Sequence, residues 1–115
     1  MPYDRGDVVL VLYPDSNLRT AKRRPAIVVQ ADDLQAGLPQ TIVAMISSNM
    51  SRAGHPSRVT VTRVSPEGQQ MGLHCNSVIM TDNLATVLDH EIDRVIGTCP
   101  QMQTVDTALR HTLGI

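Results

Sequence analysis

Three cations, Lys22-Arg23-Arg24, stand directly before Pro25 and the apolar run Ala26-Ile27-Val28-Val29. That run has the β-branched makeup of a core strand, and proline is tolerated at the first position of a strand but not at its centre. The spacing therefore predicts that Arg24 sits at the rim of a rigid sheet. A guanidinium is always charged, planar and able to grip two oxygens at once, so one held still at a sheet rim is a ready phosphate binder. A polyanion is the first partner chemistry to consider. A second polar cluster, Ser47-Ser48-Asn49, follows the apolar run Thr41–Ile46 and offers hydroxyl and amide donors at another strand exit.

The remaining chemistry-bearing residues are more scattered. Arg19, Arg52, Arg58 and Arg63 add to the basic first half, where residues 1–63 carry a net charge of +3 against −4 for residues 64–115. An overall charge of −1 thus hides a polarity that can steer polyanions through the local field. Of the four histidines, His55 lies beside the basic stretch and is the one placed to help in acid–base work, while His74, His90 and His111 read as surface or structural residues. Two isolated cysteines, Cys75 and Cys99, and the scattered histidines have no metal-ligand spacing, so no metal or other cofactor is expected. Both cysteines read as small buried residues of a reducing compartment. With only Tyr3 and Tyr13 as aromatics, any single-stranded nucleic acid would be bound by arginines, hydroxyls, amides and backbone rather than by stacking platforms.

The elements that must position these groups can be read from periodicity. A single domain spanning 1–115 fits the length, and 42% hydrophobic residues suffice for one core. Strands are predicted at Asp7–Tyr13, Pro25–Gln30 and Thr41–Ile46. The strictly alternating Arg58–Thr62 and short runs at Ser77–Met80 and Val95–Gly97 complete the set. Asp15–Lys22 reads as a polar loop, Asp32–Gln40 as a connector with a helical turn, Ser65–Gly68 as a turn, and Asn83–Arg94 as a short helix or turn. Met102, Val105, Leu109 and Leu113 recur at helical spacing, predicting a terminal amphipathic helix ended by Gly114. Five or six short strands with one helix give a mainly β protein, a small barrel closed by a helix. No apolar run has the length of a membrane span and the N-terminus shows no signal pattern, so cytoplasmic residence without membrane contact is the expectation.

Several blocks together resemble the MazF/PemK toxins, whose superfamily includes CcdB. They are Arg5-Gly6-Asp7-Val8-Val9-Leu10-Val11, Lys22–Val29, Val43–Asn49, Gly72-Leu73, Asn76-Ser77-Val78-Ile79 and Asp82–Val87, with Ile96-Gly97 and the terminal helix completing the order. The resemblance implies an SH3-like barrel that dimerises and cleaves single-stranded RNA at short sequences without a metal. It also implies an antitoxin partner whose extended tail occupies the RNA groove, and contact with DNA only through the antitoxin complex. Carried over by motif, Arg24 is the key cation, and Ser47 stands where the family usually has threonine. The loop Asp15–Ala21 departs from the Gly-x-Glu-Gln element of the better-known MazF branch and is closer to a PemK-like arrangement.

Metal-free RNA cleavage needs the ribose 2′-hydroxyl to attack the adjacent phosphate, with charge building on the phosphorane oxygens. Arg24 suits that charge, and Ser47 suits a hydrogen bond to the same phosphate or to the attacking hydroxyl. As an unassisted nucleophile a serine is poor. The implied products carry a 2′,3′-cyclic phosphate and a 5′-hydroxyl. Lys22, Arg23, Arg19, Ser48, Asn49, Arg52, His55, Arg58, Asn76 and Ser77 are the expected RNA-binding set. Two other functions fit the same resemblance: a catalytically weak member that binds antitoxin and regulates DNA indirectly, and a CcdB-like gyrase poison.

Overall fold

The computed structural model describes residues 3–14, 19 and 21–115. Within them the strands are β1 (Asp7–Pro14), β2 (Ala21–Val28), β3 (Gln40–Ser47), β4 (Arg58–Val61), β5 (Ser77–Leu88) and β6 (Ile92–Thr98), with helices α1 (Pro66–Gln70) and α2 (Met102–Leu113). All pair antiparallel in one sheet of order β4-β5-β3-β2-β1-β6.

The connectivity forces this sheet to curl. β5 and β6 are four strand intervals apart, about 19 Å in a flat sheet. Yet Leu88, at the end of β5, is joined to Ile92, at the start of β6, by the single 3₁₀ turn Asp89–Glu91, a stretch that reaches at most about 14 Å. The sheet must bring these edges together, and Val87 and Ile92 do share a buried cluster with Val9, Val11, Ala26, Val28, Val43 and Met45. The opposite face carries a second cluster, built from Val8, Ile27, Ala44, Ile46, Val59, Val61, Ile79 and the helical residues Val105 and Ala108. Both faces of β1, β2 and β3 are therefore apolar, which is why these strands read as near-continuous hydrophobic runs.

Close backbone approaches complete the enclosure at the β6 edge. A Cβ placed on Gly97 would lie 2.4 Å from the Met71 carbonyl carbon, and one on Gly72, whose φ is +73°, would lie 2.2 Å from the Ile96 carbonyl oxygen. The chain after α1 thus lies directly on β6. Helix α2 ends as its sequence requires, with Gly114 left-handed at φ 71° and its N–H donating to the Arg110 carbonyl. Arg5 ties the N-terminal turn to that helix, donating through Nε to the Val29 carbonyl and through Nη2 to Asp106 at 2.6 Å.

Several sequence expectations are corrected. β2 begins at Ala21, so the three cations lie inside a strand and Pro25 is internal to it. The proline is accommodated because β3 pairing reaches only to Ala26, leaving Pro25 opposed by Leu10 of β1 alone. Residues 83–94 are strand and 3₁₀ turn, since β5 continues to Leu88 after a register jump in which Met45 faces Met80 but Ala44 faces Leu84. β6 is correspondingly longer than Val95–Gly97. Over residues 32–40 the chain makes a single turn, closed by the Leu34 N–H on the Ala31 carbonyl, but no helix, and the turn at Ser65–Gly68 is the cap and start of α1. Leu113 is 55% exposed, and Ala108 takes the core position that the periodicity gave to it. Cys75 is exposed, whereas Cys99 is buried and burial pushes its thiol pKa up.

Arg58 pins β4 to β5. Its Nη2 and Nε donate to Asp82 at 2.8 and 3.4 Å, and its Nη1 to the Arg52 carbonyl at 3.1 Å. The hydrogen bonds from Arg58 hold the Asp82 carboxyl below its usual 3.8, so the pair contributes stability above that pH and loses it as pH falls through the lowered value. Asp82→Asn should therefore lower the urea midpoint at pH 7 and pH 5, the gap from wild type closing as pH falls below about 4. Gly97→Ala should cost about 3 kcal/mol through backbone overpacking. Gly54→Ala, at φ +89° with nothing within 4 Å of the added carbon, should cost only the left-handed strain of about 1–2 kcal/mol. Urea titrations of the two variants check that order.

Candidate active site

Strand alternation decides which side of the sheet each candidate faces. Residues directly opposed in an antiparallel pair project to the same face, and successive residues to opposite faces. β1 and β2 pair without a bulge from Val8–Ile27 to Pro14–Ala21, and Arg24 opposes Val11. Since Val11 belongs to the cluster of Val9, Ala26 and Met45, Arg24 projects to that face. Ser47 opposes Val78 and shares the parity of Val43 and Met45, so it projects to the same face. The β2–β3 ladder pairs Val28 with Val43, Ile27 with Ala44 and Ala26 with Met45, and there it ends. Arg24 and Ser47 each lie two residues beyond that last couple. They stand on adjacent strands, on one face, where the strands leave the ladder.

The same face continues across the sheet. Met45 opposes Met80, and Met80 opposes Arg58; Val78 opposes Thr60. Arg52 sits against this row with Nη1 3.6 Å from the Met80 sulfur. Arg52 and Arg58 thus share the face of Arg24 and Ser47 but lie two strands further out, and the charge of Arg58 is matched by Asp82.

The opposite face holds a cavity of about 300 Å³. Its floor is Leu10, Pro25, Ile46, Leu73 and Ile96, and its rim carries Lys22, Arg23, Arg24, Ser48, His74 and Cys75. The consecutive pairs Arg23–Arg24 and Ser47–Ser48 are each divided by the pleat. Alternation sends Arg23 and Ser48 toward the cavity and Arg24 and Ser47 toward the other face, while Lys22 and Arg24, where β2 runs on beyond the β3 ladder, also border the cavity. Arg23 is also within 3.6 Å of Asp93 on β6, in a largely exposed pair.

Other members of the expected RNA-binding set have jobs within the fold. The side-chain oxygen of Asn76 accepts the Arg63 N–H at 2.9 Å, and Ser77 is buried with its hydroxyl donating to the Cys75 carbonyl. His55 accepts the Ser57 N–H at Nδ1, and its ring meets that of His111 edge-on at 6.0 Å. Its neutral tautomer therefore carries the proton on Nε2 and offers a donor rather than a base. Asn49 caps the 3₁₀ turn Met50–Arg52. Arg19 is exposed; of the predicted loop Asp15–Lys22, residues 15–18 and 20 lie outside the described residues and Ala21 and Lys22 open β2. Among the described residues, no three His, Cys, Asp or Glu side chains are grouped to hold a metal ion, and no helix is long and apolar enough to cross a membrane.

Asn49 and Ser51 are the residues at this site whose structural part the sequence reading missed. The spacing Ser47-x-Asn49-x-Ser51, with polar side chains two residues apart, is the local signal for such turn bonds.

Comparison with known proteins fits this geometry. Residues 4–113 match the family described as PemK-like, MazF-like toxin of type II toxin–antitoxin system. The chain is 31% identical over 107 residues to endoribonuclease MazF2 of Mycobacterium bovis and to endoribonuclease MazF6 of Mycobacterium tuberculosis, covering 90% of each chain. Its fold superposes on Mycobacterium tuberculosis toxin MazF-mt6 with a TM-score of 0.71 at 21% identity, covering 95% of this chain and 97% of that one. For MazF in a MazE–MazF structure from Deinococcus radiodurans the TM-score is 0.73 at 18% identity, covering 100% and 99%. A full-length family match and relatives above 30% identity agree with the strand order and the mostly β architecture: the chain belongs to the PemK-like, MazF-like toxins of type II toxin–antitoxin systems.

Proposed function

We propose that this protein is the toxin of such a pair and acts as a metal-independent endoribonuclease on single-stranded RNA. The observation that carries the reading is the shared face of Arg24 and Ser47 at the ladder end of β2 and β3. The endoribonuclease names of the relatives that match nine-tenths of the chain support it.

In this reading the scissile phosphate sits between Arg24 and Ser47. Attack by the neighbouring 2′-hydroxyl makes a pentacoordinate phosphorane whose oxygens carry more negative charge than the ground-state diester. Arg24 stabilises that increase because its charge is permanent and its fork can bind two oxygens. Ser47 donates a hydrogen bond to one of them and keeps its proton. The 2′-hydroxyl proton passes to solvent water, the departing 5′-oxygen takes one from water, and the products are a 2′,3′-cyclic phosphate and a 5′-hydroxyl, with no bond to the protein at any stage. Lys22, Arg23 and Ser48 hold the strand where it crosses the cavity rim, and Arg52 adds field on the outer part of the Arg24 face.

The protein acts as a homodimer in the cytoplasm. Its antitoxin silences it by laying an extended tail along the same surface, and it meets DNA only through that complex. The fold it shares with MazF in the MazE–MazF complexes supports the antitoxin assignment.

Purified protein incubated with mixed-sequence RNA in EDTA should give discrete cuts with 5′-hydroxyl ends. Arg24→Ala should lower kcat/KM by about 10²–10³-fold, with Arg24→Lys recovering only part of the loss. Intact RNA at high protein excess, together with tight antitoxin binding, would establish the inactive antitoxin-binding module instead.

A further inference from the structure

Ser47 is the hydroxyl on the face of Arg24, and the structure shows what orients it. The backbone N–H of Asn49 donates to Ser47 Oγ at 3.1 Å. A serine oxygen has one proton to give and two lone pairs to fill. With one lone pair occupied from within its own turn, the hydroxyl proton is left to donate outward.

That N–H is aimed by the Asn49 side chain. Asn49 Oδ1 accepts the Ser51 N–H at 3.1 Å and the Ser51 hydroxyl at 2.6 Å. These bonds cap the 3₁₀ turn Met50–Arg52 and fix Asn49 at φ −80°, ψ 97°. The turn is closed behind it by bonds from the Arg52 and Ala53 N–H groups to the Asn49 and Met50 carbonyls. Ser47, Asn49 and Ser51 form a chain of side-chain and backbone bonds, each link two residues long, running from a capped turn back to the strand end. The Asn49 amide oxygen, its only strong acceptor, is spent on this chain.

We propose that Asn49 is a positioning residue for the Ser47 hydroxyl and not an RNA contact: its side chain holds the turn that holds the serine rotamer. The proposal rests on the reading of Ser47 as a phosphate donor. An unheld serine side chain divides among three staggered rotamers, and only one aims its proton at a phosphate gripped by Arg24. Losing the cap therefore slows the chemical step while leaving RNA binding intact.

The test is a double-mutant cycle on RNA cleavage, with KM and kcat measured separately and thermal midpoints recorded for every variant. Ser47→Ala should lower kcat. Asn49→Ala should lower kcat by roughly tenfold or more with KM essentially unchanged. Asn49→Ser, which can cap the same turn without adding charge, should recover most of that loss. In the Ser47→Ala background, Asn49→Ala should add nothing, because the group it positions is gone. An equal loss from Asn49→Ala in both backgrounds, or a rise in KM alone, would overturn the proposal and make Asn49 an RNA contact. Wild-type kcat for Asn49→Ala beside a slow Ser47→Ala would overturn the positioning role and leave the Ser47 reading standing. Wild-type kcat for Ser47→Ala would instead remove the Ser47 reading itself, and with it anything for Asn49 to position.

Discussion

The seven-residue register between β1 and β2 is the constraint on which the site depends. It has no bulge, and both of its faces are buried at the Val8–Ile27 end: Val8 and Ile27 on one side, Val9, Val11 and Ala26 on the other. A slip by one residue would exchange these sets and present every side chain of β2 to the wrong cluster. The same slip would exchange Arg23 and Arg24. The core thus specifies which of two adjacent arginines shares a face with Ser47, although neither arginine takes part in the core. β1 keeps this register while its other edge, toward β6, shifts twice, between Val8 and Val9 and between Leu10 and Val11. The remaining irregularity is the β5 jump opposite Ala44 and Met45, which leaves the alternation of β3 itself unbroken up to Ser47.

What the sequence showed of the fold follows from how each element is stabilised. β1, β3 and β4 were legible because their own residues supply the apolar pattern, and α2 because Val105 and Leu109 repeat on one face before a helix-ending glycine. The second half of β5 and the start of β6 were not. Asp82, Asn83, Asp89 and Asp93 are polar and turn-prone, and they break up the short run Leu84–Leu88 that lies among them. β3 supplies the ladder partner for Leu84–Leu88, and tertiary pairing overrides propensity. The early start of β2 was hidden by the same cause, since Lys22, Arg23 and Arg24 are strand residues because β1 lies beside them.

The placement of Arg24 and Ser47 in the candidate site was legible in the sequence, and that of the residues around them less so. Arg24 and Ser47 emerged because each borders an apolar run that had to be a strand, which puts Ser47 at the end of β3 and Arg24 just beyond the reach of the β3 ladder within β2. Which face each occupies required the register, a non-local quantity. Arg58 looked like one more cation for a polyanion until Asp82, 24 residues away, was found against it. Asn76 and Ser77 resembled base-reading groups, but their oxygens are engaged with Arg63 N–H and with the Cys75 carbonyl. A polar side chain named from sequence carries no label for whether its hydrogen bonds are already made. That accounting is available only once the backbone groups competing for it are in place.

Serine at position 47 makes the turn beyond it matter more than threonine would. Threonine carries a second heavy atom on Cβ, which restricts χ1 by steric contact with its own backbone and orients the hydroxyl without outside help. Serine has no such restriction, and holding it in one rotamer against the alternatives costs a few tenths to about 1 kcal/mol of side-chain entropy that an external bond must supply. One backbone hydrogen bond, worth about 1 kcal/mol net, is of that size. The Asn49 N–H provides such a bond, and the Asn49 cap keeps it in place. A change from an intrinsically stiff hydroxyl to a tethered one transfers the orienting duty from the covalent structure of one residue to the hydrogen bonds of three. The orientation of the Ser47 hydroxyl is then set by the Met50–Arg52 turn as much as by the strand, so under the proposed reading substitutions on that turn bear on a reaction they do not touch.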